Sequence, residues 1–185
     1  MSNNLIHNAF KDRNIQILVD SNDMYSLDDT LHFLEGVRDV PVFWVEEPFK
    51  KTFHEGRQLK DWMKKNGFES VLYADGEANP DHNLLSEMVD AGILDVYLSD
   101  IYDYGFSKWI KLNIDLKEKG TLSSPHAWGN SLKTNYITHL AAAQGNVVTI
   151  EGVTCFSDQI AYGDYKISDG LIYPSNAPGF GMTLL

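Results

Sequence analysis

The feature that most narrows the fold of this chain is a rhythm in which short runs rich in β-branched and aromatic residues alternate with longer amphipathic stretches. The runs are 15–20, 42–46, 71–74, 96–99, 122–125 and 147–150. Between them, apolar residues recur at helical spacing. Leu31, Leu34 and Val37 follow a cap at Ser26 or a nearby aspartate, further stretches cover about 53–65, 81–91 and 106–118, and a last one runs through Leu132 and Ile137 to Ala143. Strand and helix in alternation is the pattern of βα units, which build a parallel sheet. The expected fold class is therefore α/β, with about six parallel strands and their helices.

After Glu151 the rhythm stops. Gly, Pro and Asn dominate 164–185, with Pro174, Pro178, Gly179 and Gly181 interrupting any long element, so 156–185 reads as an irregular C-terminal tail packed on the outside. No linker, low-complexity tract or shift of composition divides the chain, and 1–185 reads as a single domain.

Composition removes several classes of function. With 185 residues, 43% of them hydrophobic, the chain can bury one sizeable core. Its 26 acidic residues outnumber 15 basic ones for a net charge of −11, and no run of five Lys or Arg offsets this locally. Such a surface repels phosphate backbones and anionic lipid, which argues against nucleic acid as a partner. Cys155 is the only cysteine and cannot form an internal disulfide, and residues 1–14 lack the apolar core of a signal peptide, so a cytoplasmic location is expected. The stretch 141–150 is broken by Gln144 and Asn146, far short of the roughly 20 apolar residues a membrane span requires.

The ionisable residues fall at telling places. Asp20, Glu46, Glu77, Asp100, His126 and Glu151 each sit at or just past the C-terminal end of an expected strand, 23 to 31 residues apart. In a parallel barrel such positions converge on one face, where barrel enzymes carry their chemistry. A strand-end carboxylate can also cap the next helix or face water, and chance accounts for one or two of these six. Three carboxylates brought together, Asp20, Glu46 and Glu77, oppose joint ionisation unless a cation lies among them. All-oxygen ligation points to Mg²⁺ rather than to Zn²⁺, which recruits His or Cys. Asp100 and His126 fit a dyad in which the carboxylate accepts from one imidazole nitrogen and leaves the other basic, making His126 a candidate general base or acid. His7, His32, His54, His82 and His139 lack such a partner and read as solvated or packing residues.

With these residues in view, the chain resembles the C-terminal barrel of the enolase superfamily, in its mandelate racemase and acid-sugar dehydratase branch. The resemblance rests on Val19-Asp20-Ser21-Asn22, Trp44-Val45-Glu46-Glu47-Pro48-Phe49, Ala74-Asp75-Gly76-Glu77, Ser99-Asp100, Ser124-Pro125-His126 and Ile150-Glu151, together with Ile167-Ser168-Asp169-Gly170 and Pro178-Gly179-Phe180-Gly181 in the tail. It implies a partial TIM-like (β/α) barrel. It also implies Mg²⁺ held by Asp20, Glu46 and Glu77, a catalytic dyad of Asp100 and His126, and Glu151 hydrogen-bonding the carboxylate of an acid-sugar substrate as an acid. Glu47 would support the metal ligands rather than bind the ion.

The family pattern also includes a capping domain and an early barrel strand bearing Lys-x-Lys. Neither is expected between Met1 and Ile15, and Lys50-Lys51 lies after Pro48, on the wrong strand to replace that pair. Racemisation uses bases on both faces of the α-carbon, whereas dehydration can employ His126 first as base and then as acid. The expected reaction is Mg²⁺-dependent α-proton abstraction with β-elimination of water. The alternatives are a mandelate racemase-like isomerase and a metal-binding fragment without turnover. That fragment would be a truncated gene product or one half of a split enzyme, with a homo-oligomer or a partner chain supplying cap and strands as the expected assembly. An unrelated aldolase-type barrel would need a strand-end Schiff-base lysine, which the sequence does not place.

Overall fold

Apolar runs flanked on both sides by amphipathic helices can bury both faces of a strand, which is the condition for a parallel sheet. The computed structural model describes residues 2–13, 15–151 and 156–185, in two units, Met1–Tyr97 and Leu98–Leu185. Met1, Asn14 and Cys155, which enter the reading of signal peptide and disulfide, lie outside the described residues.

In the first unit, β1 (Ile17–Asp20), β2 (Val42–Glu46), β3 (Leu72–Asp75) and β4 (Val96–Tyr97) pair in that order, all parallel. The helices α2 (Leu27–Gly36), α3 (Phe53–Asn66) and α4 (His82–Asp90) connect them. Each helix starts where its sequence supplies an acceptor for the first free N–H groups. Ser26 and Asp29 form a reciprocal capping box on α2, Thr52 caps α3 through the Glu55 N–H, and Asp81 caps α4. The glycine that ends α3, Gly67, takes the left-handed conformation at φ 79°. Leu34, Leu59, Leu85 and Met88 bury completely, together with Tyr73 and Val96 of the strands. Gly56 allows a close approach inside α3, since a Cβ there would meet Met88 Cε at 2.9 Å and Ile93 Cγ2 at 3.0 Å. A further helix, α1 (Ser2–Phe10), occupies a segment read from sequence only for its lack of a signal.

The second unit contains α5 (Ile101–Tyr104), α6 (Phe106–Glu118), β5 (Leu122–Ser123) and α7 (Ser131–Gln144). Trp109, Leu116, Ile137 and Leu140 form its buried apolar centre. Asn113, also fully buried, accepts from the Ser123 hydroxyl at 2.6 Å and from Asn146 Nδ2 at 3.2 Å, and donates to Gln144 at 2.9 Å. That network satisfies polar groups that would otherwise be costly to bury.

The expected sixth strand at 147–150 is reduced to one parallel bridge between Val147 and Ser123. Its β-branched composition favours extended backbone, but a strand also needs a ladder of partners, and here the pairing stops after that bridge. The tail carries two small antiparallel pairs: β6 (Ile160–Ala161) with β9 (Thr183–Leu184), and β7 (Lys166–Ser168) with β8 (Leu171–Tyr173). Phe180 anchors it, its ring centroid 5.0 Å from Phe106 and 4.4 Å from Tyr136. Among the described residues, no helix is long and apolar enough to cross a membrane.

Candidate metal centre and histidine dyad

Each unit gathers three of the six strand-end residues. In the first, Asp20 and Glu46 end β1 and β2 as direct register partners, and Glu46 is in turn paired with Ala74 of β3. Glu77 lies beyond the end of β3. A ligand oxygen from each of Asp20, Glu46 and Glu77 lies within 4.8 Å of the other two. The set is all oxygen, anionic and partly open to solvent, which fits a hard divalent cation that retains sites for water or substrate oxygens. Among the described residues, no thiol or imidazole enters the cluster.

The backbone around these carboxylates departs from regular structure. Asn22 and Asp23 adopt left-handed φ values of 48° and 60°, which turn the chain back so that Asn22 donates to both Asp20 oxygens, from its backbone N–H at 2.8 Å and its side chain at 2.7 Å. Glu47 sits at φ 39°, an uncommon conformation for a residue with a side chain, and ends β2 directly after Glu46. It is fully buried and accepts from the Ala78 N–H at 2.6 Å, so it braces the loop that follows Glu77.

Sequence reasoning missed Lys51, which it considered only as a stand-in for a lysine pair elsewhere. Its ammonium lies 3.0 Å from Asp75 and 4.0 Å from both Asp23 and Glu47, and it donates to the Ala78 carbonyl at 3.0 Å. The signal was the four-residue spacing of Glu47 and Lys51, a weak one by itself. Burial opposes the Lys51 charge, yet the surrounding carboxylates, Asp75 foremost, hold its pKa above the ordinary value. Burial pushes the Asp75 carboxyl up to about 7 against the opposing pull of Lys51. The Tyr73 hydroxyl donates to the same carboxyl at 2.9 Å.

In the second unit, Asp100 caps α5, with Oδ1 accepting from the Tyr102 N–H at 2.7 Å. Its Oδ2 lies 3.0 Å from His126 Nδ1 and also accepts from Lys133. An ionised carboxylate only accepts, so Nδ1 carries the proton and Nε2 is left as the basic nitrogen. Glu151 Oε1 lies 3.6 Å from Nε2 and accepts from the Ala127 N–H at 2.6 Å. Lys133 is the second residue absent from the sequence reading. It comes from α7, 33 positions beyond Asp100, with no motif to mark it. Of the remaining histidines, His139 packs edge-on against Tyr165 and Phe180, and His82 Nδ1 lies 3.0 Å from the Tyr97 hydroxyl.

Burial alone would raise the Asp100 pKa, but hydrogen bonds from His126, Lys133 and the Tyr102 N–H outweigh it and hold the carboxyl well below the usual carboxylate range. The folded state thus binds this proton more weakly than the unfolded chain does. The stabilisation is present above the ordinary value of 3.8 and is lost as the pH falls toward the lower folded value. Urea unfolding across that acid range is expected to show a steeper loss of stability in the wild type than in Asp100→Asn. Equal slopes would deny the depressed ionisation.

This chain belongs to the enolase C-terminal domain-like family, which it matches over residues 4–185. Among solved structures it is similar to galacturonate dehydratase from Geobacillus sp. complexed with D-galacturonate and 5-keto-4-deoxy-D-galacturonate, at 31% identity and a TM-score of 0.86 over 93% of this chain and 46% of that one. A mutant of that dehydratase complexed with Mg gives 31% identity and a TM-score of 0.84, over 91% and 44% of the two chains. A mandelate racemase/muconate lactonizing protein from Geobacillus sp. Y412MC10, complexed with magnesium and tartrate, gives 32% and 0.85, over 91% and 43%. The chain spans less than half the length of each of these proteins. No curated protein matches it. The fold class read from the βα rhythm and the motifs, a partial (β/α) barrel of the enolase type, agrees with these superpositions.

Proposed function

We propose that this chain carries the metal-binding and proton-transfer residues of a Mg²⁺-dependent lyase acting on a sugar-derived carboxylic acid. The observation that carries the reading is the cluster of Asp20, Glu46 and Glu77, three carboxylates whose mutual repulsion a bound divalent cation would relieve. Solved structures similar to the chain are complexed with magnesium, and a galacturonate dehydratase is 31% identical to it.

In this reading Asp20, Glu46 and Glu77 hold the ion. An ion bound there would supply Lewis-acid stabilisation of the negative charge that develops beside a substrate carboxylate when its α-proton leaves. His126 takes that proton on Nε2, because Asp100 keeps the other nitrogen protonated. The C–H electron pair forms a C=C bond as the β-carbon releases its hydroxyl, and His126 returns the proton so that water departs. The resulting enol relaxes to a 2-keto acid. Lys133 and the Tyr102 N–H fix Asp100, and thereby the imidazole, before the reaction begins. Glu151 accepts from the Ala127 N–H beside Nε2, and in this reading it hydrogen-bonds a substrate carboxylate as an acid.

Incubating the chain with Mg²⁺ and a pool of aldonic, aldaric and uronic acids is expected to yield 2-keto-3-deoxy acids, detected as semicarbazones, and chelation of the metal is expected to stop their formation. Absence of product together with absence of α-hydrogen exchange in D₂O would remove the reaction from this chain.

A further inference from the structure

The third carboxylate of the cluster is not placed by the sheet. The β2–β3 ladder ends with Glu46 opposite Ala74, and β3 itself ends at Asp75, two residues before Glu77. Gly76 at φ 124° and Asn79 at φ 44° flank Glu77 and Ala78 with backbone that no helix or strand prescribes. The peptide groups of Ala78 are nonetheless bound by two side chains from the loop after β2. Its N–H donates to Glu47 Oε1 at 2.6 Å, and its carbonyl accepts from Lys51 Nζ at 3.0 Å.

We propose that Lys51, acting with Glu47, is the positioning residue for Glu77: the two side chains clamp the Ala78 peptide and so set where the third carboxylate of the cluster stands. The inference rests on the metal reading of that cluster. The same ammonium reaches all three segments that carry the ligands. It pairs with Asp75 at the end of β3, with Glu47 directly after Glu46, and with Asp23 in the turn after Asp20. The first two loops are already joined through the backbone, by the Asp23 N–H to the Glu47 carbonyl at 2.7 Å and the Ser21 N–H to the Glu46 carbonyl at 3.1 Å. The third loop is tied in through side chains, and also by the Glu47 N–H to the Ala74 carbonyl at 3.0 Å, which acts upstream of Glu77.

Lysine suits this place. Its compact ammonium carries three rotatable donors that can point out of any one plane, whereas the donors of arginine are fixed in the plane of the guanidinium. With the Lys51 side chain 7% exposed and those of Asp75 and Glu47 wholly buried, little water competes for these contacts. Groups that orient metal ligands in this way affect the affinity for the ion without touching it.

The test is calorimetric titration of Mg²⁺ into the wild type, Glu77→Gln, Lys51→Met, and the double variant Lys51→Met with Asp75→Asn, which removes both charges of the buried pair. Thermal unfolding without Mg²⁺ is measured alongside. The wild type is expected to bind and Glu77→Gln to fail. Both Lys51 variants are expected to lose about 10- to 100-fold in Mg²⁺ affinity, while the double variant unfolds near the wild-type temperature. A merely structural lysine would move the unfolding temperature and leave the affinity of the folded chain unchanged, and that result overturns the proposal. Failure of both Lys51 variants to fold also overturns it, because Lys51 would then serve the unit as a whole. A wild type that binds no Mg²⁺ refutes the metal reading itself, and this inference with it.

Discussion

Replacing His126 by asparagine is expected to slow α-proton abstraction by about 10²- to 10⁴-fold, the usual contribution of a positioned general base, with Mg²⁺ affinity unchanged. Asparagine keeps a polar group of similar reach but cannot accept and return a proton near neutral pH. The effect should exceed that of altering any neighbour, because the neighbours work through the imidazole. Asp100 Oδ2 lies 3.0 Å from Nδ1 and keeps the proton there, and Lys133 and the Tyr102 N–H hold Asp100. Exchange of the substrate α-hydrogen in D₂O, followed by proton NMR, reads this step apart from elimination. Exchange at the wild-type rate in the variant would take the proton from some other group and leave Asp100 as a helix cap only.

The strand-end positions were legible because a parallel strand has a direction, and a carboxylate after an apolar run can stand only at its C-terminal end. Asp20 and Glu46 follow this rule closely, as register partners that end β1 and β2. Glu77 follows it loosely. Its spacing marks the right loop, but its place depends on Gly76, Asn79 and the clamp on Ala78. Lys51 and Lys133 escaped the reading for a common reason. Lys51 meets Ala78 across 27 positions and Lys133 meets Asp100 across 33, and no local pattern encodes an approach of that kind. The run at 147–150 fails in the opposite sense. Its residues favour extended backbone, yet strand formation is decided by neighbours, and among the described residues the run forms a single bridge, from Val147 to Ser123. The apolar runs at 96–99 and 122–125 likewise overstate β4 and β5, which span two residues each, because apolar content reports burial as much as pairing.

Asp20, Glu46 and Glu77, from three consecutive βα units, are proposed to hold one divalent ion. Glu46 is the most telling of them, since its backbone pairs with Asp20 on one side and Ala74 on the other. Glutamine in its place keeps the shape of the side chain and removes its charge. Loss of a direct ligand should cost more than the roughly 10- to 100-fold associated with groups that only orient ligands. An ion that binds the folded chain also raises its unfolding temperature by mass action, so the two readouts must agree. The most direct measurement is titration calorimetry of Mg²⁺ into the wild type and Glu46→Gln, with thermal unfolding of both across the same Mg²⁺ range. One ion per wild-type chain with a rising unfolding temperature is expected, and neither effect in the variant. Equal binding by both proteins, or none by the wild type, would contradict it.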